Sequence, residues 1–218
     1  MSIKNIIELT ESAINFCRGD ITQEKMAVAI KDNSCQIIEF NGDTFKISTT
    51  IHSEDSISRK DGCLNSLKIN QTNLFLGFEN GNLKIYDSDY QFLSVINLNH
   101  SILSMDIIEN IIITSNPENY LCSLRFDEKS GNFEILKKRE IPTEGISHLK
   151  IRGDKKILAA GSWDNTVRLF SVKRPGNLKP LGALKFHEKA VDSLAVTESL
   201  IAAGSTDGYV SIWKVYVE

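Results

Sequence analysis

The sequence predicts an all-β fold, a β-propeller of about five four-stranded blades, on three observations. The first is a repeat. Ile157-Leu158-Ala159-Ala160-Gly161-Ser162-Trp163-Asp164-Asn165-Thr166-Val167-Arg168-Leu169-Phe170 lies over Leu200-Ile201-Ala202-Ala203-Gly204-Ser205-Thr206-Asp207-Gly208-Tyr209-Val210-Ser211-Ile212-Trp213, 43 residues further on and without a gap. The second is the form of each copy: a short apolar run, an Asp-Asn or Asp-Gly turn, then an alternating run. Those turn residues tolerate the positive φ that tight hairpins demand. The third is the period. The last large apolar residue of the third strand, at Ile38, Tyr86, Phe126, Phe170 and Trp213, recurs at intervals of 48, 40, 44 and 43 residues. Strand-built units of about 40–45 residues are the mark of propeller blades.

The elements follow in order. Ile3 to Leu9 reads as a free strand ahead of the first unit. That unit, about residues 11–52, takes Ala13 to Cys17, Met26 to Ile30, Cys35 to Phe40 and Phe45 to Ile51, with turns at Asp32-Asn33 and Asn41-Gly42-Asp43. The second, about 62–99, takes Leu64 to Ile69, Leu74 to Phe78, Leu83 to Tyr86 and Phe92 to Leu98 around an Asn80-Gly81 turn. The third, about 101–141, is the most degenerate. It takes Ile102 to Ile108, Ile111 to Thr114, Leu121 to Phe126 and Phe133 onward to Ile141, with a longer turn at Ser115 to Asn119. The fourth, about 145–186, runs from Ile146 to Ile151 through the first copy of the repeat to Leu178 to Phe186. The fifth, about 187–217, has Val191 to Val196 and the second copy but no fourth strand. Either Ile3 to Leu9 pairs with Tyr209 to Val215 in a closed five-blade ring, or it belongs to a blade outside this chain, as in an N-terminally incomplete seven-blade ring.

Composition narrows the function. With 218 residues, 41% hydrophobic and only four prolines, the chain reads as a single domain over 1–218 without a linker. A net charge of −3 argues against a direct electrostatic grip on nucleic acid or an anionic membrane. No apolar run approaches the roughly 18 residues that span a bilayer, and Met1 to Thr10 does not read as a signal peptide. Cys17, Cys35, Cys63 and Cys122 lie far apart with no CxxC pair, so they read as reduced, buried thiols rather than a metal cage. No metal and no cofactor is expected.

The polar residues with a repeated position read as structural. Gly-rich phosphate loops, the G-x-S-x-G elbow and HExxH are absent from the sequence. Asp164 and Asp207 are turn aspartates whose role is to accept hydrogen bonds. His52, His100 and His187 each fall in the connection from a fourth strand to the next first strand. The last unit contains His187, Asp207 and Trp213. His148 lies inside a first strand and reads as a packed or edge residue. Lys137-Lys138-Arg139 reads as a charged edge that discourages strand addition. Trp163 stands where the second copy has Thr206. It has two readings: an exposed anchor for a protein partner, or a ring packed on the neighbouring blade.

Gly161 to Phe170, stated twice over, resembles a WD40 repeat. That resemblance implies that His187, Asp207 and Trp213 of the last unit form a bonded set, with Ala203 where a hydroxyl is usual. The C-terminal third, from Ala159 to Asp164 through Pro180 to His187 to Ala202–Asp207 and Ser211-Ile212-Trp213, is similar to the family of ASTRA-associated protein 1 and the G-protein β-subunit-like protein 1. Leu76 to Gly81 with Ile85-Tyr86 fits the same family more loosely. The resemblance implies a non-enzymatic WD-repeat scaffold of the nucleus, with the cytoplasm as a second compartment. It implies partners among co-chaperone and ASTRA-type subunits, in the maturation of phosphatidylinositol-3-kinase-like kinases and in chromatin-linked complexes. It transfers no binding residue, and family members are longer, with N-terminal repeats that have no counterpart here. The alternatives from other classes are a propeller hydrolase with acidic groups around a channel and a WD40 adaptor of a different complex.

Overall fold

A computed structural model describes residues 18–30, 33–42, 44–52, 61–143, 145–174 and 176–215. Every regular element among them is a β-strand, and the sheets are antiparallel, as a propeller of WD40 type requires. The chain falls into two compact units, Met1–Asn99 and His100–Glu218.

The first unit holds two blades. One is β1 (Gly19–Ile21), β2 (Lys25–Ala29), β3 (Cys35–Asn41) and β4 (Thr44–Ile51); the other is β5 (Leu64–Ile69), β6 (Leu74–Phe78), β7 (Asn82–Tyr86) and β8 (Phe92–Asn97). Ala27, Ala29, Cys35 and Ile37 of one sheet pack on Leu64, Leu67, Leu76 and Phe78 of the next.

The second unit holds three. The third blade is β9 (Ser104–Ile108), β10 (Ile111–Ser115), β11 (Tyr120–Asp127) and β12 (Asn132–Glu140). The fourth is β13 (Ile146–Ile151), β14 (Ile157–Ser162), β15 (Thr166–Arg174) and β16 (Asn177–Lys185). The fifth has three strands, β17 (Val191–Val196), β18 (Leu200–Ser205) and β19 (Val210–Lys214). Ile113 and Leu121 of the third blade pack on Leu149, Leu158 and Phe170 of the fourth. Ile157, Val167 and Leu169 of the fourth pack on Val191, Leu194 and Ile201 of the fifth. Burial of such aliphatic rows, worth about 25 cal/mol per Å² of apolar surface, is what holds blade to blade.

The structure corrects several expectations. The first strand of the first blade is Gly19–Ile21, not Ala13 to Cys17; that segment and Ile3 to Leu9 lie outside the described residues. The three-residue β1 is held by Asp20, whose carboxylate accepts the Ile69 amide of the next blade at 3.1 Å and the Lys68 ammonium at 3.2 Å. Asp106 of β9 does the same for the Ile151 amide at 2.6 Å. With the strands of each blade lettered a to d in chain order, the third b–c hairpin is no longer than the rest. Ala29↔Cys35, Gly77↔Leu83, Ser115↔Leu121, Gly161↔Val167 and Gly204↔Val210 close all five loops, each pair six positions apart. That register makes Leu124, not Phe126, the counterpart of Phe170 and Trp213. Cys35 and Cys122 are buried, with burial pushing their thiols up to about 12 and about 11, whereas Cys63 is exposed. Lys137, Lys138 and Arg139 lie on the outer-edge strand β12.

Candidate partner-binding rim

In the second to fifth blades the b–c hairpin and the connection that enters the same blade come together at one end of the sheet. Their polar contacts define the site. In the fifth blade His187 Nδ1 lies 3.0 Å from Asp207 Oδ2, and His187 Nε2 lies 2.6 Å from Ser211 Oγ. The His187 and Trp213 rings meet edge to face at 6.1 Å. Asp207 also accepts the backbone amides of Glu188 at 3.0 Å and Tyr209 at 2.9 Å. Burial opposes ionisation of this carboxyl, but the Tyr209 and Glu188 amides and His187 outweigh it and hold the group at about 2. Ala203 does not leave the network short of a hydroxyl. Its cross-strand partner Ser211 supplies one from β19.

The position four residues after the turn residue repeats with changed chemistry. In the fourth blade it is Arg168, whose guanidinium pairs with Asp164, while Thr166 Oγ1 donates to the same carboxylate at 2.7 Å. Burial again opposes ionisation of Asp164, yet the Thr166 and Ser162 hydroxyls and Arg168 keep its carboxyl below the usual range. In the second blade it is Lys84: the cation keeps its position and the carboxylate moves from the turn. The carboxylate is Asp61 in the incoming connection, 2.5 Å from Lys84 Nζ, and the turn supplies amides, with Asn80 Nδ2 at 3.0 Å and Asn82 Nδ2 at 2.5 Å. Of the three connection histidines, His187 alone meets its turn acid among these contacts. His100 stacks edge to face on Tyr120 at 5.1 Å, and His52 is exposed.

Trp163 is 44% exposed. Its ring lies over Gly145, in the connection that enters its own blade. The Trp163 amide donates to the Gly145 carbonyl at 3.1 Å, and a Cβ on Gly145 would stand 2.0 Å from the indole. Gly145 has φ +72, so only glycine fits both the backbone and the ring. The second blade repeats the seat with Glu79 folded over Gly62, also at φ +72. On the turn that follows Trp163, an open depression of about 440 Å³ is lined by Asp164, Asn165, Arg168, Lys185 and His187. Exposed indole, amide and basic groups on hydrogen-bonded loops suit protein recognition.

The order Asp207–His187–Ser211 is also that of a hydrolytic relay. Ser211, however, is 8% exposed in mid-strand, and its hydroxyl faces the Ala203 carbonyl at 3.4 Å. A nucleophile needs its oxygen open to a substrate carbonyl. No group of three or more metal-ligating side chains occurs among the described residues, nor does any helix long and apolar enough to cross a membrane.

Comparison with known proteins agrees with this geometry. The WD domain, G-beta repeat family matches residues 135–171 and 178–214. Both windows open near or within a fourth strand and close in the third strand of the next blade, so the sequence repeat straddles two sheets. The guanine nucleotide-binding protein subunit beta-like protein 1 of Mus musculus is 28% identical over 218 residues, covering 94% of this chain and 65% of the relative. ASTRA-associated protein 1 of Schizosaccharomyces pombe is 27% identical over 199 residues, covering 78% of this chain and 52% of the relative. The chain thus spans between half and two thirds of the length of these relatives. Among solved structures, the computationally designed Ika4 protein superposes with a TM-score of 0.57 at 18% identity, over 71% of this chain and 92% of that one, which speaks for the fold alone.

Proposed function

We propose that this chain, a WD40-repeat propeller resembling ASTRA-associated protein 1, is a non-enzymatic scaffold subunit of an ASTRA-like, co-chaperone-linked assembly. Within it the chain acts in the maturation of phosphatidylinositol-3-kinase-like kinases and works in the nucleus. The observation that carries the reading is the rim: its repeated polar groups tether one another, while Trp163 is 44% exposed and an open depression lies on the turn that follows it. A site with that division of labour holds proteins rather than transforming small molecules. The net charge of −3 makes any link to chromatin indirect, through other subunits.

The test is affinity purification of the tagged chain from its own cells, together with depletion. Co-chaperone and ASTRA-type subunits are expected to co-purify. Depletion is expected to lower the steady-state level of the kinases with their transcripts unchanged. Unchanged kinase levels and no such subunit in the purified material would refute the assembly reading.

A further inference from the structure

We propose that the depression on the fourth blade takes an acidic side chain of a protein partner, its carboxylate held between Arg168 and Lys185. The proposal rests on the scaffold reading and names the chemistry of the partner.

The register of β15 and β16 builds the site. Thr166 stands opposite Lys185 and Arg168 opposite Ala183, so all four side chains share one face of the sheet. Arg168 and Lys185 are diagonal neighbours on that face, at a spacing of about 7–8 Å that long side chains span. Ala183 is exposed and has only a methyl group to fill the space opposite the guanidinium. Asp164, Asn165 and His187 complete an open hollow of about 440 Å³, within the range of about 300–1,000 Å³ usual for binding sites.

The charges in the hollow are unequal. Asp164 is already paired: Oδ1 accepts from Thr166 Oγ1 at 2.7 Å, and Oδ2 accepts from the Arg168 guanidinium. His187 has both ring nitrogens engaged, by Asp207 and Ser211. Among the described residues Arg168 makes that one hydrogen bond, through Nη2, and its buried Nε meets no acceptor. The Lys185 side chain is exposed and has no ion pair among the described residues. Two cations thus stand beside one carboxylate, and one positive charge is left over. A second carboxylate between Arg168 Nη1 and Lys185 Nζ balances it through charge-assisted hydrogen bonds.

In the other blades these positions hold different groups. In the second, Lys84 stands opposite Val95 and is paired with Asp61. Asn97, in the position of Lys185, donates there to Asn82 Oδ1 at 2.7 Å and to the Asn80 carbonyl at 3.1 Å. In the third, Cys122 stands opposite Lys138 and Tyr120 opposite Glu140, with the Lys138 ammonium over the Tyr120 ring at 4.8 Å. The fourth blade joins an arginine, an alanine and a lysine at these positions.

Two features favour a protein over a free anion. The hollow is open, so a small ion in it keeps most of its water. Trp163, 44% exposed, directly precedes Asp164 on the same turn, and a partner that presents an acidic residue next to an apolar one engages both. The net charge of −3 gives the chain no general attraction for polyanions, so the binding is local.

The test is an NMR titration of the isotope-labelled full chain with hexaglutamate, set against hexaglutamine and inorganic phosphate. The amides of Arg168, Ala183 and Lys185 are expected to shift saturably with hexaglutamate and to stay in place with hexaglutamine. Lys185→Gln, a change at an exposed side chain, is expected to weaken binding about tenfold, the loss of one charge-assisted contact. Lys179→Gln, on the same strand, is expected to leave it unaltered. Absence of a saturable shift, an equal loss from Lys179→Gln, or equally strong binding of phosphate overturns the proposal. Hexaglutamate binding by a chain that co-purifies no co-chaperone or ASTRA-type subunit sinks the assembly reading alone. Co-purification of those subunits by a chain that takes no hexaglutamate sinks this proposal alone.

Discussion

Replacing Gly145 by alanine puts a methyl group where the Trp163 indole now lies, and the cost can be worked from the geometry. Alanine at φ +72 carries a left-handed penalty of about 1–2 kcal/mol. The added Cβ would stand 2.0 Å from one ring atom and 2.1 Å from another, so the indole must leave its seat. A tryptophan offers about 150–250 Å² for burial, and Trp163 is 44% exposed. At about 25 cal/mol per Å², losing the covered half costs up to about 3 kcal/mol, an upper bound because unfolded chains are not fully extended. Gly145→Ala should therefore cost about 3–4 kcal/mol in the unaltered protein but only about 1–2 kcal/mol when Trp163 is already alanine. Trp163→Ala alone should cost about 2–3 kcal/mol, so it lowers stability as well as partner capture. Urea unfolding of the four proteins gives the coupling directly, expected at about 2 kcal/mol. Equal costs of Gly145→Ala in both backgrounds would refute the seating of the ring.

Three further outcomes follow from the tethers. Ser211→Ala leaves His187 Nε2 buried without its partner and should cost about 1–3 kcal/mol, while adding Ala203→Ser returns a hydroxyl from the paired strand and should recover much of it in thermal or urea unfolding. Lys84→Met leaves the Asp61 carboxylate, 1% exposed, without its cation and should cost about 3–5 kcal/mol, with a second change Asp61→Asn restoring part of the loss on the same assay. Stability should also fall with acid in two stages. Burial holds the His100 imidazole below its ordinary value, so the unfolded chain takes up its proton first and stability drops as pH falls through about 6.5, a slope that His100→Phe should remove. The Asp207 carboxyl, at about 2 when folded, contributes fully above its unfolded value near 3.9 and loses that contribution as pH falls toward 2.

The inner strands were legible because they alternate or run apolar between turn residues. Leu64–Ile69, Leu74–Phe78, Ile146–Ile151 and Val191–Val196 match their expected bounds. The left-handed turn residues Asn33, Gly81, Asn165 and Gly208 sit where the Asp-Asn, Asn-Gly and Asp-Gly signals placed them. Outer strands were harder. β4, β8 and β12 contain no buried residue, so no hydrophobic pattern marks their limits. β1 escaped because it is three residues long and held by a carboxylate rather than by apolar burial. Ser211 escaped for another reason. A missing hydroxyl on β18 is replaced from β19, and only the register Ala203↔Ser211 shows that the two positions are one place in space. Comparing residues four beyond each turn would have shown Lys84, Arg168 and Ser211 in a column.

That column explains how repeats so unlike in sequence keep one hairpin geometry. The second, fourth and fifth blades each fix a b–c turn of the same length to the connection entering it. The chemistry of that tether is free to vary where buried donors and acceptors are met. Asp207 with His187 and Ser211, Asp164 with Arg168 and Thr166, and Asp61 with Lys84 and two asparagines do this with different charges, and only Arg168 Nε among these tethers is left without a hydrogen bond or ion pair. Degeneracy in the motif is thus substitution within a conserved constraint, not loss of it. The consequence reaches function. Loops already fixed by such tethers lose little freedom when a partner binds, so the exposed half of Trp163 can serve as an anchor at low entropic cost. On the proposed scaffold reading, variation in the tethers should change stability and its pH dependence, while variation at Trp163 should change what the rim holds.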